Sequence, residues 1–224
     1  MKKIIAVITL ALLSLSILVG CAASVGVDYV NECYARSYPY RIEVSSVQQV
    51  GGTTLECKTV MVRGLIGSDF VAKKIVDGEE MRSLEEGSGK QVYDYVKVSK
   101  EETWFRASEG VSYDKGKTWD VAGENFFPDK GKLSLGLESR YLKDAVYEDG
   151  IMDFVISAAD TEAVFGASGK VDSDVRGRIE TAGGFVTSVE FSWVEAANFK
   201  TGVDTMTVTI KADYIYDQQN VTFN

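Results

Sequence analysis

The chain has 224 residues, a formal net charge of −9 and no histidine. An acidic body argues against nucleic acid and anionic lipid headgroups as partners. The missing imidazole removes the commonest general base and the commonest metal ligand together.

Lys2 and Lys3 precede an uncharged, almost wholly apolar run from Ile4 to Leu18. That run is shorter than the ~20 residues a spanning helix needs and fits the apolar part of a secretory signal. It ends in Leu18-Val19-Gly20-Cys21, which resembles the bacterial lipobox, where the cysteine is acylated with palmitate-like chains and cleavage falls just before it. The expected division is a lipoprotein signal at 1–20, a lipid anchor and tether at 21–38, and a single domain at 39–224. Cys21 would then hold the domain on the extracytoplasmic side of the cell membrane. Two or more acyl chains anchor stably where one does so only marginally. With Cys21 lipidated, Cys33 and Cys57 remain as an even pair in an oxidising compartment, which suggests a disulfide.

Asp28 to Ser37 has room for two or three helical turns before Pro39. Beyond it the chain reads as strands. Arg41–Val50 and Thr53–Leu65 flank Gly51-Gly52, a hairpin signal. Phe70–Val76 and Glu79–Leu84 flank Asp77-Gly78, read as a second hairpin; Gln91–Val98 and Thr103–Ser108 form a third pair; Val111–Tyr113 and Thr118–Val121 flank a fourth turn. Leu135–Tyr147 places Leu137, Tyr141 and Ala145 four apart, with Leu142 and Val146 beside them, and reads as an amphipathic helix. Ile151–Ser157 reads as a strand. Thr161–Ala167 is a second helix candidate, with Asp160 as cap and Gly166 or Gly169 as stop.

The late strands alternate most clearly. Arg176–Thr181 turns through Ala182-Gly183-Gly184 into Phe185–Val194, where Phe185, Val189, Phe191 and Trp193 share one face. In Thr205–Tyr216 the alternate residues Met206, Val208, Ile210, Ala212, Tyr214 and Tyr216 are apolar or aromatic, the mark of a strand with one wet face. Such hairpin-linked strands predict a mainly β domain: a curved antiparallel sheet or half-open barrel with a helical lid.

Few motifs carry chemistry. Ser112, Asp114, Gly116, Thr118 and Trp119 fit the Asp-box spacing known from sialidases and other propellers. A single copy among about ten strands is read as a rigid turn: Asp accepts backbone N–H groups and Gly supplies a positive φ. The acid pairs Glu79-Glu80, Glu85-Glu86 and Glu101-Glu102 are sequence neighbours, which point to opposite faces of a strand. Asp172-Ser173-Asp174 lacks the glycine and distal glutamate of a calcium loop. With no G-x-S-x-G, S-x-x-K or P-loop, and no histidine to serve as base, no catalytic residue, metal or cofactor is expected.

The aromatics Tyr93, Tyr95, Phe105, Phe191, Trp193 and Tyr214 are candidates to line an apolar concavity. The order of features also resembles the LolA-like lipoprotein superfamily, with its LppX and LprG type lipid-carrying lipoproteins. The resemblance runs through the lipobox, Ser37-Tyr38 before the first strand, Val76-Asp77-Gly78, Lys117-Thr118-Trp119, the segments 135–147 and 161–167, Gly183-Gly184-Phe185, and the polar run Asp217-Gln218-Gln219-Asn220-Val221. It implies a half-open antiparallel barrel with helices over an apolar concavity that carries acyl chains or lipidated proteins. The expected function is non-catalytic binding of a lipid or other apolar ligand. The alternative is a surface interaction module with a solid core, binding a protein or cell-wall glycan.

Overall fold

The computed structural model describes residues 25–66, 69–86, 90–120, 137–166 and 170–216. Cys21 and the lipobox, the first residues of the expected 135–147 helix and the terminal run 217–221 lie outside them. The described strands are β1 (Arg41–Val50), β2 (Thr53–Ile66), β3 (Asp69–Glu86), β4 (Lys90–Arg106), β5 (Gly110–Ser112), β6 (Leu142–Glu148), β7 (Ile151–Ile156), β8 (Val175–Ala182), β9 (Phe185–Ala196) and β10 (Thr205–Ile215). They form one sheet in the order β5-β4-β3-β2-β1-β10-β9-β8-β7-β6. Each of its ladders is antiparallel. Two meanders meet where β1 pairs with β10, and among the described strands β5, bridged at Val111 to Asp120, and β6 stand at the two ends. The sheet is therefore open, as the alternation and turn chemistry predict.

Residues paired in register share a face, so one face can be read off the ladders. Ile42, Val44, Ser46, Gln48 and Val50 of β1 stand opposite Tyr214, Ala212, Ile210, Val208 and Met206 of β10. The other face of the same strands carries Arg41, Glu43, Lys211, Asp213 and the threonines 205, 207 and 209. Burial follows the split: Ile42, Gln48, Val50, Met206 and Val208 are buried, and Arg41, Gln49, Thr205 and Thr207 are exposed.

Helix α1 (residues 25–36) lies on the apolar face over β7–β9. Val27, Val30, Cys33 and Tyr34 form its buried stripe, packed with Met152, Phe154, Ile156, Ile179, Val186 and Val189. These positions recur every three or four residues, the spacing of one helical face. Ser37 fixes the end of the helix. Its hydroxyl donates to the Cys33 carbonyl at 2.8 Å and accepts the Val186 N–H at 3.1 Å. The short helix α2 (Thr161–Phe165) sets Phe165 edge-on to Phe191, with centroids 5.2 Å apart.

A second apolar cluster, around Val50, Leu55, Met81, Phe199, Met206 and Val208, fills the other end of this face. The far half of the β3–β4 hairpin covers it. β2 and β3 pair only as far as Cys57 and Gly78; beyond that point β3 and β4 continue as a two-stranded arm, still paired with each other. The arm crosses the sheet and meets the β9–β10 loop. Tyr93 N–H donates to the Asn198 carbonyl at 2.8 Å, and Lys200 N–H donates to the Tyr93 carbonyl at 3.0 Å. In a flat sheet β4 and β9 would stand about five strand spacings apart, roughly 24 Å. Direct backbone hydrogen bonds between the arm and this loop require strong curvature, with the apolar face inside.

Several sequence expectations are corrected. Asp77-Gly78 is not a hairpin turn: it lies within β3, at a register shift. Gly78 has φ 146°, and a Cβ there would sit 2.2 Å from the Glu56 carbonyl oxygen. Glycine here permits close strand approach at a bulge. Gln91–Val98 and Thr103–Ser108 are likewise largely one strand, β4, rather than a hairpin pair. Residues 139–148 form no α-helix. A single 3-10 turn, Ser139–Tyr141, leads into β6. Phe185 does not share a face with Val189: Glu180 pairs with Ser188 but Thr181 with Val186, so Thr187 is an extra residue. One extra residue reverses the face of what precedes it. Phe185 is 40% exposed and stacks on Tyr216.

Cys33 and Cys57 are both buried and unbonded, which overturns the expected disulfide. Cys33 belongs to the cluster over β7–β9, and Cys57 lies on β2, three strands beyond β9. The two cysteines thus belong to different parts of the inner face. Asp160 occupies the N-cap of α2, but its carboxylate takes the Ser157 hydroxyl rather than a backbone N–H of the helix. Gly166 ends α2 with φ 79°.

Candidate functional site

Between α1 and the arm the inner face leaves a strip of half-buried residues, called the trough below. One row of paired residues runs Gly78–Cys57–Ser46–Ile210–Phe191–Gly177–Phe154 from β3 to β7. Its β3–β1 part is made of small side chains, which lowers the floor there. The neighbouring row is Thr59–Val44–Ala212–Val189. Val44, Ser46, Thr59, Ile210, Ala212, Phe191 and Trp193 are half-buried, neither packed away nor fully open. Burial raises the Cys57 thiol pKa, which keeps it a small apolar floor residue rather than a nucleophile.

The arm wall is held by polar contacts. Gln48 is buried, and its side-chain amide engages both backbone groups of Met81: Oε1 accepts the N–H at 2.6 Å and Nε2 donates to the carbonyl at 3.2 Å. The amide takes the place of the β2 backbone that β3 has left. Glu195 joins the two sides, accepting the Tyr93 hydroxyl at 3.0 Å and the Trp193 indole N–H at 2.9 Å. Burial, with Glu195 close by, pushes the Tyr93 phenol up to about 12. Lys200 and Asp94 close the outside of the clasp at 3.0 Å.

The opposite wall is the end of α1. Tyr34 is 2% exposed and packs with Tyr214 of β10. Burial pushes the Tyr214 phenol up to about 12 and that of Tyr34 further up. Tyr216 donates to the Val186 carbonyl. Arg63 donates to the Pro39 carbonyl at 2.5 Å and lies 4.2 Å over the Tyr38 ring.

Of the aromatics picked from sequence, Tyr93, Phe191, Trp193 and Tyr214 border the trough. Tyr95 and Phe105 do not. Tyr95 is 46% exposed on the arm, and Phe105 lies near the β5 edge, paired with Ala72 and Val111 and packed on Phe70. Sequence reading missed Tyr34, Gln48 and Met81. Gln48 did carry a signal, as a polar residue at an inward position of an alternating strand.

The Asp-box residues form a closed turn at the β5 edge, outside the trough. Asp114 accepts the Thr118 N–H and hydroxyl, the Lys117 N–H and the Ser112 hydroxyl at 2.7–3.0 Å. Gly116, at φ 80°, lies against Trp104 and Trp119. Asp174 accepts the Ala158 N–H, and Ser173 bonds both backbone groups of Val194. That run ties a loop to the sheet. An open hollow of about 520 Å³ on the outer face is lined by Asp144, Arg176, Ser192 and Thr207 among others. Val155, Trp193 and Val194 also line it, so this solvent-facing groove mixes polar and apolar side chains.

No protein-family model matches the chain, and no curated protein matches it. Among solved structures, the chain is similar to an outer membrane lipoprotein-sorting protein domain from Vibrio parahaemolyticus, at 10% identity and a TM-score of 0.27 over 90% of this chain and 97% of that one. It is also similar to a DUF1329 family protein from Desulfovibrio piger, at 11% identity and a TM-score of 0.26 over 91% and 97% of the two chains.

Proposed function

We propose that this protein is a membrane-anchored, extracytoplasmic carrier or receptor of an acyl chain, bound without catalysis in the trough. The observation that carries the reading is the half-buried apolar floor, Val44, Ile210, Ala212, Phe191 and Trp193, left between two separately secured walls. Burying each CH₂ there contributes ~0.8 kcal/mol, so chain length dominates affinity. The Cys21 anchor sets the trough beside the membrane that supplies the chain.

Filling the trough tests the binding half. Ala212→Trp should abolish retention of a C16 fatty acid while thermal unfolding stays cooperative; retention equal to wild type would refute the site. Metabolic labelling with radioactive palmitate tests the anchor. Label should enter the wild-type chain and be absent from Cys21→Ser.

A further inference from the structure

We propose that the end of the sheet where α1 runs into β1 rests on the bilayer, with Tyr38, Leu65, Phe185 and Ile215 seated among zwitterionic phospholipids. This rests on the Cys21 anchor proposed above and adds which surface of the domain meets the membrane.

β1 and β9 begin at this end, and β2 and β10 finish there. Four large apolar side chains are left in water on it: Tyr38 and Phe185 are 40% exposed, Ile215 36% and Leu65 70%. The backbone gathers them onto one rim. Tyr40 N–H donates to the Ile215 carbonyl at 3.0 Å, and Arg63 N–H donates to the Tyr40 carbonyl at 2.9 Å. Leu65 follows two residues after Arg63 on β2. Rings continue the rim: the Phe185 and Tyr216 centroids lie 5.1 Å apart, and those of Tyr38 and Tyr40 6.4 Å. Single exposed apolar residues are ordinary, but a grouped set marks a contact surface. Tyrosine, with an apolar ring and a wet hydroxyl, suits the headgroup level of a bilayer.

The tether points to a bilayer as the occupant. The described residues begin at Val25, itself 66% exposed, and residues 22–24 separate it from Cys21. Fully extended, that stretch reaches at most ~14 Å. α1 starts against Tyr147: a Cβ on Gly26 would lie 2.6 Å from the Tyr147 Cβ, and the Tyr29 and Tyr147 rings are 5.4 Å apart. Tyr147 stands three residues before Gly150, whose carbonyl accepts the Thr181 N–H at 2.7 Å, just ahead of the Gly183-Gly184 turn into Phe185. The other end of α1 meets Val186 through Ser37. α1 therefore runs along this end of the sheet, and an anchor at Cys21 holds it at the membrane. Leu84 and Tyr95 are also exposed, but on the arm at the opposite end. The 12 residues of β9 set the two ends roughly 40 Å apart, far beyond the tether. The net charge of −9 disfavours anionic headgroups and leaves zwitterionic ones.

The test uses the full lipidated chain in phosphatidylcholine vesicles that contain a phosphatidylcholine with a diazirine in the upper part of one acyl chain. Light-driven adducts are mapped by peptide mass spectrometry. They should concentrate on peptides carrying Tyr38, Leu65, Phe185 and Ile215 and be absent from those carrying Leu84 and Tyr95. Tyr38→Ser, Leu65→Ser and Phe185→Ser combined should cut the yield at Ile215 roughly fivefold or more, because interfacial binding scales with the apolar area buried. Palmitate incorporation and cooperative unfolding should stay as in wild type. If the triple variant loses cooperative unfolding, Leu65→Ser alone takes its place, with a fall of about twofold expected on the same scaling. Equal adducts on rim and arm, or a yield at Ile215 that ignores the substitutions, would overturn the proposal. Palmitate incorporation without rim adducts refutes this inference alone; a wild-type chain that takes up no palmitate refutes the anchor and this inference with it.

Discussion

Replacing Gln48 with leucine should unseat the β3–β4 arm. Gln48 and Met81 are 7% and 5% exposed, and the amide meets both backbone groups of Met81. Leucine fills similar space but strands a buried N–H and a buried carbonyl. Each unsatisfied group costs about 1–3 kcal/mol. The apolar gain from leucine offsets about 1 kcal/mol of the total. A net loss of about 3 kcal/mol is expected, or about 6–12 °C in Tm for a chain of this length. Urea unfolding at 25 °C measures the free energy. Native-state hydrogen exchange localises it: amides of 79–84 and 92–98 should exchange faster than in wild type, and those of β7–β9 should change least, because α1 covers them independently. Stability within about 0.5 kcal/mol of wild type, with unchanged exchange in the arm, would refute the role given to Gln48.

Gly177→Ala should destabilise by about 1–3 kcal/mol through overpacking, because its Cβ would lie 2.2 Å from the Phe154 ring; a neutral substitution in urea unfolding would contradict the packing of β7 on β8. Asp114 is held well below the usual carboxylate range, chiefly by the Thr118 N–H and hydroxyl. A depressed folded pKa gives stability that is complete above the unfolded value, near ~3.9, and is lost as pH falls through the folded one. The stability gap between wild type and Asp114→Asn should therefore be constant above about pH 5 and shrink as acid is added below ~4. A gap that ignores pH would contradict the turn's charge-dependent hydrogen bonds.

The alternating strands were legible because β1, β8, β9 and β10 have one face wet, and that contrast is written residue by residue. Bulges hid the rest. Leu142, Ala145 and Tyr147 pack on the core, three and then two apart, because β6 shifts register between Lys143 and Val146 and Asp144 takes φ 53°. A bulged strand thus overlaps the helical template of three- and four-residue steps. Gly78 imitated a turn for a related reason: its signal is close backbone approach, and a turn residue and a bulge residue are spelled alike. The trough was half legible. Phe191, Trp193 and Tyr214 stand on inward positions that periodicity reveals, but Tyr34 and Gln48 act through partners 180 and 33 residues away, and no local pattern carries such contacts. The cysteine pair misled because sequence spacing does not reveal that β10 and β1 lie between the cluster holding Cys33 and the strand holding Cys57.

The central claim is that the trough holds an acyl chain whose length sets the affinity. Native mass spectrometry of the purified full chain, equilibrated with fatty acids of increasing length, tests it directly. One chain per protein is expected, with Kd falling roughly fourfold per added CH₂ until the trough is filled, and with Ala212→Trp blocking retention. A chain that retains no fatty acid at any length, or retains all lengths equally, would contradict the account.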